Sequence, residues 1–489
     1  MRSRLFSTLT MVALLAGCTV GPDYQPPHLS APERWTEGNA DAPHVARADS
    51  WWDGFHDPIL SDLLQKAVSG NKGLKIAGQR IVQARADLRI AESRALPSLG
   101  VGGTAESRRQ TQTLDWPPPA SRGVYPYYQV GFDASWELDF FGGTRRRQEA
   151  AEASVGEAEE AQHAILVSLL AEVADDYFAY RLALVRLRIA QASVAAAQQA
   201  LQLSIHAYQG GERPRLDMIE AQAHLDAAQA AVPSQQAEAD NYLHALATLI
   251  GVFPEEFKAP AVGSTSLPAP PPMPLSLPSD VIAQRPDIRR AERAYAAANA
   301  RIGVAVADLY PHFSIPLDFG LTTSSLHQAF KVASLAWIAG GTISQSLYSG
   351  GRLPAQVDAA RATAESERLN YEQTVLGAFR EVEDDMANEA TAKARYTALA
   401  AEAEQDHQAL DNAARLYGKG ETGFLPVLDA QRQLYTAQDV AAQSAWSRLR
   451  SDIALYKALG GGWQTISAGG HLAEPKCSKD CRDNGSPEK

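Results

Sequence analysis

The sequence predicts a mainly α-helical chain, duplicated internally, that lends four strands to a shared membrane β-barrel and continues it with a long α-helical barrel. Three observations predict this: a repeat at fixed offset, two pairs of short alternating strands, and two very long heptad-like stretches nearly free of breakers. The repeat is the plainest. Tyr208-Gln-Gly-Gly-Glu-Arg-Pro-Arg-Leu216 and Tyr417-Gly-Lys-Gly-Glu-Thr-Gly-Phe-Leu425 lie 209 residues apart. The same offset sets Glu220-Ala221-Gln222 against Asp429-Ala430-Gln431, Leu225 against Leu434, and Ile250-Gly251 against Leu459-Gly460. Ala84-Arg-Ala86 through Pro97 matches Ala298-Asn-Ala300 through Pro311 at an offset of 214, so short insertions separate the copies. One unit built twice suits a ring or tube better than an enzyme cleft.

Residues 1–17 read as an export signal. Arg2 and Arg4 form a positive start, Leu5 to Ala16 a short apolar stretch, and Leu15-Ala16-Gly17-Cys18 follows. That stretch is too short to span a bilayer as a helix. The Leu-Ala-Gly-Cys box resembles the bacterial lipoprotein signal, in which the cysteine is acylated (palmitate included) and becomes the mature N-terminus. Thr19, rather than an acidic residue, follows Cys18, which in that resemblance implies sorting to the outer membrane. Elsewhere no run of 18 or more apolar residues occurs, so no transmembrane helix is expected. The formal charge is -12, and loss of Arg2 and Arg4 with the signal makes it -14, which argues against a nucleic-acid partner. Cys477 and Cys481 lie in a polar tail, 462–489, without neighbouring histidines, a poor zinc site.

From 18 to 56 the chain is rich in Pro, Gly and small residues and reads as an extended arm. The first copy runs over 57–253, a Pro-rich linker over 254–279, and the second copy over 280–461. Within the first copy Val130, Phe132, Ala134, Trp136 and Leu138 alternate with Gln129, Gly131, Asp133, Ser135 and Glu137. Within the second, Phe313, Ile315, Leu317, Phe319 and Leu321 alternate with Ser314, Pro316, Asp318, Gly320 and Thr322. Period two means one apolar and one polar face. Weaker partners are Leu99–Ala105 and Leu335–Leu347, the latter with Leu335, Trp337, Ala339 and Ile343 on one face. Each strand is about the ~9–11 residues needed to cross a membrane at a tilt.

The helical stretches are unusual in length. From Thr144 to Tyr208 the only strong breaker is Gly156, and Leu166, Leu170, Val173, Tyr177, Tyr180, Leu184 and Leu187 recur at spacings of three and four. The second copy repeats this from Pro354 to Tyr417, with Leu376, Phe379, Val382 and Met386 on the expected stripe. Each stretch predicts a rod on the order of 95 Å. Each ends in a Gly-rich turn and an antiparallel helix returns; Pro233 is expected to kink or break the first return. Four strands cannot close a barrel, and lipid tolerates no open edge, so several chains must share one. Three chains give twelve strands; four chains also satisfy the arithmetic, and two give only a tight barrel. In such a barrel the apolar faces meet lipid, and Asp133, Glu137 and Asp318 face the lumen.

Specific motifs then carry a resemblance over nearly the whole mature chain. They are Gly17-Cys18-Thr19-Val20-Gly21-Pro22-Asp23-Tyr24, Trp51-Trp52 through Phe55, Asp57-Pro58 and Leu60, then Trp136-Glu-Leu-Asp through Phe141-Gly142. Arg285-Pro-Asp-Ile-Arg-Arg-Ala-Glu292, Leu347-Tyr-Ser-Gly-Gly-Arg352 and Leu428-Asp-Ala-Gln-Arg432 complete the set. The chain resembles the TolC-like outer-membrane factor family, in its branch of NodT-type efflux lipoproteins. The resemblance implies a homotrimer with a twelve-stranded barrel over a periplasmic α-helical tunnel, lipid-anchored in the bacterial outer membrane. It also implies service as the exit duct of a tripartite pump for small molecules such as drugs or other toxic compounds. Its partners would be a periplasmic adaptor and an inner-membrane transporter, and no cofactor or catalytic residue is implied.

A duct needs no bond chemistry, so the informative sites are a gate and docking surfaces. By resemblance, Asp429 and Arg432 lie at the periplasmic gate and Leu425 at an apolar constriction, with Asp217, Glu220 and Tyr417 as further gate residues. Three copies of Asp429 at one level would attract cations and pair with Arg432 or a tyrosine. Thr422 stands where the family carries a basic link, and Pro426 where it carries an acidic ring residue, so one ring is expected rather than two. Gly211, Glu212, Gly420 and Glu421 at the turns would meet the adaptor. The plain alternatives are a solvated i,i+3 helix pair for Asp429 and Arg432 and simple turn residues for the glycines. Arg285-Pro286-Asp287 reads as a helix start. Two other functions compete: a type I protein-secretion duct, and a structural coiled-coil lipoprotein without a pore. Hydrolase motifs of the Gly-x-Ser-x-Gly, His-Glu-x-x-His and P-loop types are missing from the sequence.

Overall fold

The structure is a computed structural model that describes residues 19–27, 29, 32–36, 50–109, 124–263, 266–271, 278–328 and 330–468. Cys18, Cys477 and Cys481 lie outside the described residues. The chain divides into two compact units, one comprising 1–28, 81–158 and 290–371, the other 29–80, 159–289 and 372–489.

The first unit holds the sheet. Strands β1 (Ser98–Arg109), β2 (Val124–Leu138), β3 (His312–Thr323) and β4 (Leu335–Ala339) pair antiparallel in that order, and β5 (Thr342–Ser344) also pairs with β3. The expected fourth strand is therefore β4 and β5, parted by Gly340-Gly341. The register sorts the side chains cleanly. Val101, Phe132, Phe319 and Trp337 form one cross-strand row, and they are 72, 55, 49 and 68% exposed. The neighbouring row on the same face is Leu99, Ala134, Leu317 and Ala339. Asp133 faces Asp318 and Gly131 faces Gly320 on the opposite, more polar face, with Ile338 beside Asp318 as an apolar intruder. A Cβ at Gly320 would lie 2.5 Å from the Val130 carbonyl oxygen and 2.6 Å from Gly131 Cα, so the strands meet here only because both positions are glycine.

Behind the sheet, Thr19–Pro27 is strapped down by a buried arginine. Val20 N–H donates to the Phe141 carbonyl at 3.1 Å. Arg146 donates from Nε to the Val20 carbonyl at 3.1 Å and from Nη2 to Gly21 O at 3.3 Å and Asp23 Oδ1 at 2.7 Å. Tyr24 Oη donates to Glu292 Oε1 at 2.9 Å. Gly21, at φ +90°, passes so close to Gly303 that a Cβ would sit 2.4 Å from its Cα.

The second unit is built on helix packing. Asp57 caps α1 (Pro58–Gly70), its Oδ1 accepting from the N–H groups of Ile59 at 3.0 Å and Leu60 at 3.3 Å, with Pro58 in the first turn. Asp57 Oδ2 accepts from Arg181 Nη1 at 2.7 Å and Tyr177 Oη at 2.8 Å, while Arg181 Nη2 donates to Ser266 O at 2.7 Å. Asn71 ends α1 and its Oδ1 accepts from Leu74 N–H inside α2 (Lys72–Ser93) at 2.9 Å. The core gathers Leu60, Leu63 and Leu64 with Leu166, Leu170, Val173, Tyr177 and Phe178 of α3 (Gly143–Gln209). Leu246 of α4 (Arg215–Ile250) joins them. Trp51, Trp52 and Phe55, on a 3₁₀ turn within the expected extended arm, belong to the same core. After α5 (Pro278–Gln284), α6 (Pro286–Ala307) starts at the expected proline, and Arg285 before it is held by Asp287, Glu381 and the Ala458 carbonyl. Then come α7 (Arg352–Gly418), α8 (Leu425–Ala458) and α9 (Trp463–Ala468), the last lying in the expected polar tail.

The duplication is visible in the elements themselves. α3 and α7 are each 67 residues and 209 apart at both ends; α2 and α6 are each 22 residues and 214 apart. Two expectations are corrected. α4 continues through Pro233 without the break that was one of the two expected outcomes; the proline lies on its exposed side, where water can solvate the carbonyl that proline strands. On α7 the buried stripe is Tyr371, Val375, Ala378, Val382 and Met386, whereas Leu376 is exposed because it falls about 100° round the helix from Val375.

Candidate functional site

The residues singled out in the sequence converge on two helix-hairpin turns of the second unit, α3 to α4 and α7 to α8. Both turns use the same device. Gly211 and Gly420 each adopt φ +74°, and Glu212 and Glu421 follow them. Gly211 N–H donates to Tyr208 O at 3.0 Å and Glu212 N–H to Ala207 O at 3.0 Å; Gly420 and Glu421 repeat this with Tyr417 O at 2.9 Å and Leu416 O at 3.0 Å. This paired closure demands a left-handed residue, which explains glycine at 211 and 420. It leaves Glu212 and Glu421 exposed at the tips.

Beneath the turns lies a small core: Ala197 and Leu201 from α3, Ala221 and Leu225 from α4, Tyr417 from α7, Phe424 at its edge and Leu428 from α8. Tyr417 packs on Phe424 with ring centroids 5.2 Å apart. Its hydroxyl is buried without a hydrogen-bond partner among the described residues. Burial pushes that hydroxyl's pKa up; Arg213 opposes the shift, and Asp217 and Glu212 add to it. The charges of Arg213, Asp217 and Glu212 thus all act on the Tyr417 hydroxyl.

Asp429 and Arg432 pair with each other on α8, Arg432 Nη2 donating to Asp429 Oδ1 at 3.0 Å; Arg432 is exposed and Asp429 half-buried. Leu425 is exposed at the start of α8 and Glu220 half-buried on α4. Next to Arg432, α3, α4 and α8 line an open cleft of about 320 Å³. His224 lines it with Nε2 unpartnered among the described residues, its pKa lowered by burial and by the Arg432 charge. On the same wall Arg186 bridges Asp439 at 2.6 Å and Glu238 at 2.7 Å. Arg213, Phe424 and His224 escaped the sequence reading, although the 209-residue offset that relates Thr422 to Arg213 was there to find the first of them.

Among the described residues no group of three or more His, Cys, Asp or Glu side chains is placed to hold a metal ion. No helix among them is long and apolar enough to cross a membrane. The sequence profile of the outer membrane efflux proteins matches residues 63–252 and 277–461. The chain belongs to the outer membrane efflux protein family. It is 31% identical over 467 residues to the solvent efflux pump outer membrane protein SrpC of Pseudomonas putida, covering 94% of this chain and 98% of that one. It is 30% identical over 459 residues to the cation efflux system protein CusC of Escherichia coli O6:H1 strain CFT073, covering 92% and 97%. The solved outer-membrane channel OprN superposes with a TM-score of 0.82 at 34% identity, over 91% of this chain and all of that one. The fold, mainly helical with a small sheet, is thus that of the family's channels, and the protein is an efflux exit duct of the outer membrane.

Proposed function

We propose that three copies of the chain close a twelve-stranded barrel in the outer membrane and carry it into the periplasm as an α-helical tunnel. The assembly serves as the exit duct of a tripartite efflux system for small toxic molecules. One observation carries the proposal: a four-layered row of exposed apolar side chains, Val101 to Trp337, on a sheet whose β1 and β4 edges have no partner within the described chain. A row of that width has no place facing water, and unpaired edges have none in lipid, so copies must complete the sheet. Acylated Cys18 anchors the protein. The repeats over 57–253 and 280–461 supply matching halves of the wall. A periplasmic adaptor meets Gly211, Glu212, Gly420 and Glu421, and an inner-membrane transporter feeds the tunnel.

The gate is placed at the same tips. Asp429 forms a ring of three carboxylates, paired in each chain with Arg432, and Leu425, Tyr417, Asp217 and Glu220 complete the constriction. The accessibility of the Asp429–Arg432 pair in the single chain supports this, because both side chains can still meet a neighbour or the lumen. The test is single-channel conductance of the purified protein in a planar bilayer. Low conductance that rises in Asp429→Ala supports duct and gate together. High conductance in both retains the duct and removes this gate, and silence from both folded proteins favours the pore-less structural lipoprotein.

A further inference from the structure

Internal duplication makes an unequal pair stand out. Residues 213 and 422 are equivalent under the 209-residue offset, each two positions beyond the glycine of its turn; the first copy has arginine, the second threonine. The arginine reaches across to the other hairpin. Arg213 Nη2 donates to the Thr422 carbonyl at 3.4 Å, and its guanidinium carbon lies 5.0 Å from the centre of the Tyr417 ring. The ring it covers is 7% exposed, whereas Tyr208, the repeat equivalent of Tyr417, is 43% exposed. The burial is one-sided because Phe424 packs on Tyr417 from below, while the residue equivalent to Phe424 is the exposed Arg215.

We infer that Arg213 is a latch between the two hairpin tips, a positioning residue that holds the α7–α8 tip against the α3–α4 tip and so keeps the tunnel's end closed. The inference rests on the channel reading above. A planar guanidinium suits the task, since one face can lie over an aromatic ring while an edge N–H binds a carbonyl. Both contacts belong to the second hairpin and the arginine to the first, so any opening that parts the tips must break both.

The test uses the full-length purified protein as wild type, Arg213→Ala, Arg213→Lys and Asp429→Ala. Planar-bilayer recording is combined with amide hydrogen exchange on the same samples. Loss of a ring contact and a carbonyl bond is expected to raise the open-to-closed ratio of Arg213→Ala about tenfold, equivalent to about 1.4 kcal/mol. Exchange over residues 417–428 should quicken in Arg213→Ala, with Tm unchanged, and Arg213→Lys should recover part of both effects. If Arg213→Ala matches wild type in exchange and current, the latch is overturned, whatever Asp429→Ala does. Exchange rising throughout the chain with a fall in Tm marks general loosening and overturns it too. If no variant conducts, the channel reading fails while the exchange result still decides the latch.

Discussion

Replacing Asp452 with asparagine should flatten the pH dependence of stability. Asp452 lies on α8, 2% exposed, with Oδ2 unpartnered among the described residues. Burial raises its pKa from the ordinary 3.8 to about 7; Glu389 pushes the same way, and Arg448 and Lys393 oppose. Between those two values the folded chain holds a proton that the unfolded chain has released. Stability from this group therefore falls as pH rises, and the loss is complete once pH passes the folded value. From about pH 5 to about pH 8 the loss is about 3 kcal/mol. Asparagine has no proton to lose, and whatever its buried amide costs is the same at both pH values. Guanidinium unfolding of the detergent-solubilised protein, followed by far-ultraviolet circular dichroism, would measure it. The wild type should weaken between the two conditions more than Asp452→Asn by that amount. Asp176 and Asp385, each raised to about 6 chiefly by burial, titrate in both proteins and cancel in the comparison. Equal pH dependence in the two proteins would refute the reasoning and show that Arg448 and Lys393 hold Asp452 ionised.

Other perturbations have sharp expected outcomes. Arg181→Ala leaves the Asp57 carboxylate buried beside Tyr177 and should cost about 3–5 kcal/mol in the same unfolding assay. Gly320→Ala drives a Cβ into Val130 and Gly131, so the compact trimer band on an unheated denaturing gel should disappear. Arg146→Ala frees the backbone of Val20 and Gly21, and limited proteolysis should then cut the arm before Tyr24 at lower protease concentrations.

Much of the molecule was legible where chemistry and spacing coincide. Strand alternation exposed the barrel face because a period of two survives any register, and Asp57-Pro58 announced the start of α1 through a cap and a first-turn proline. Where several stripes fit one helix, periodicity alone chose wrongly, taking Leu376 for its buried neighbour Val375. Trp51, Trp52 and Phe55 were hidden in the Pro- and Gly-rich arm because their burial depends on Phe178 and Tyr456, more than a hundred residues distant. At the candidate gate the turns were readable from glycine placement. The Arg213 contact was not, since it joins residues of different hairpins and only packing brings them together.

The equal length of α3 and α7 has a consequence for how such a chain can vary. Deleting one heptad from α3 alone would withdraw its turn by about 10 Å. Arg213 would then face helix instead of Tyr417 and Thr422. A change of length in one copy therefore keeps these contacts only when the other copy makes the same change, so lengthening or shortening that preserves them comes in matched pairs.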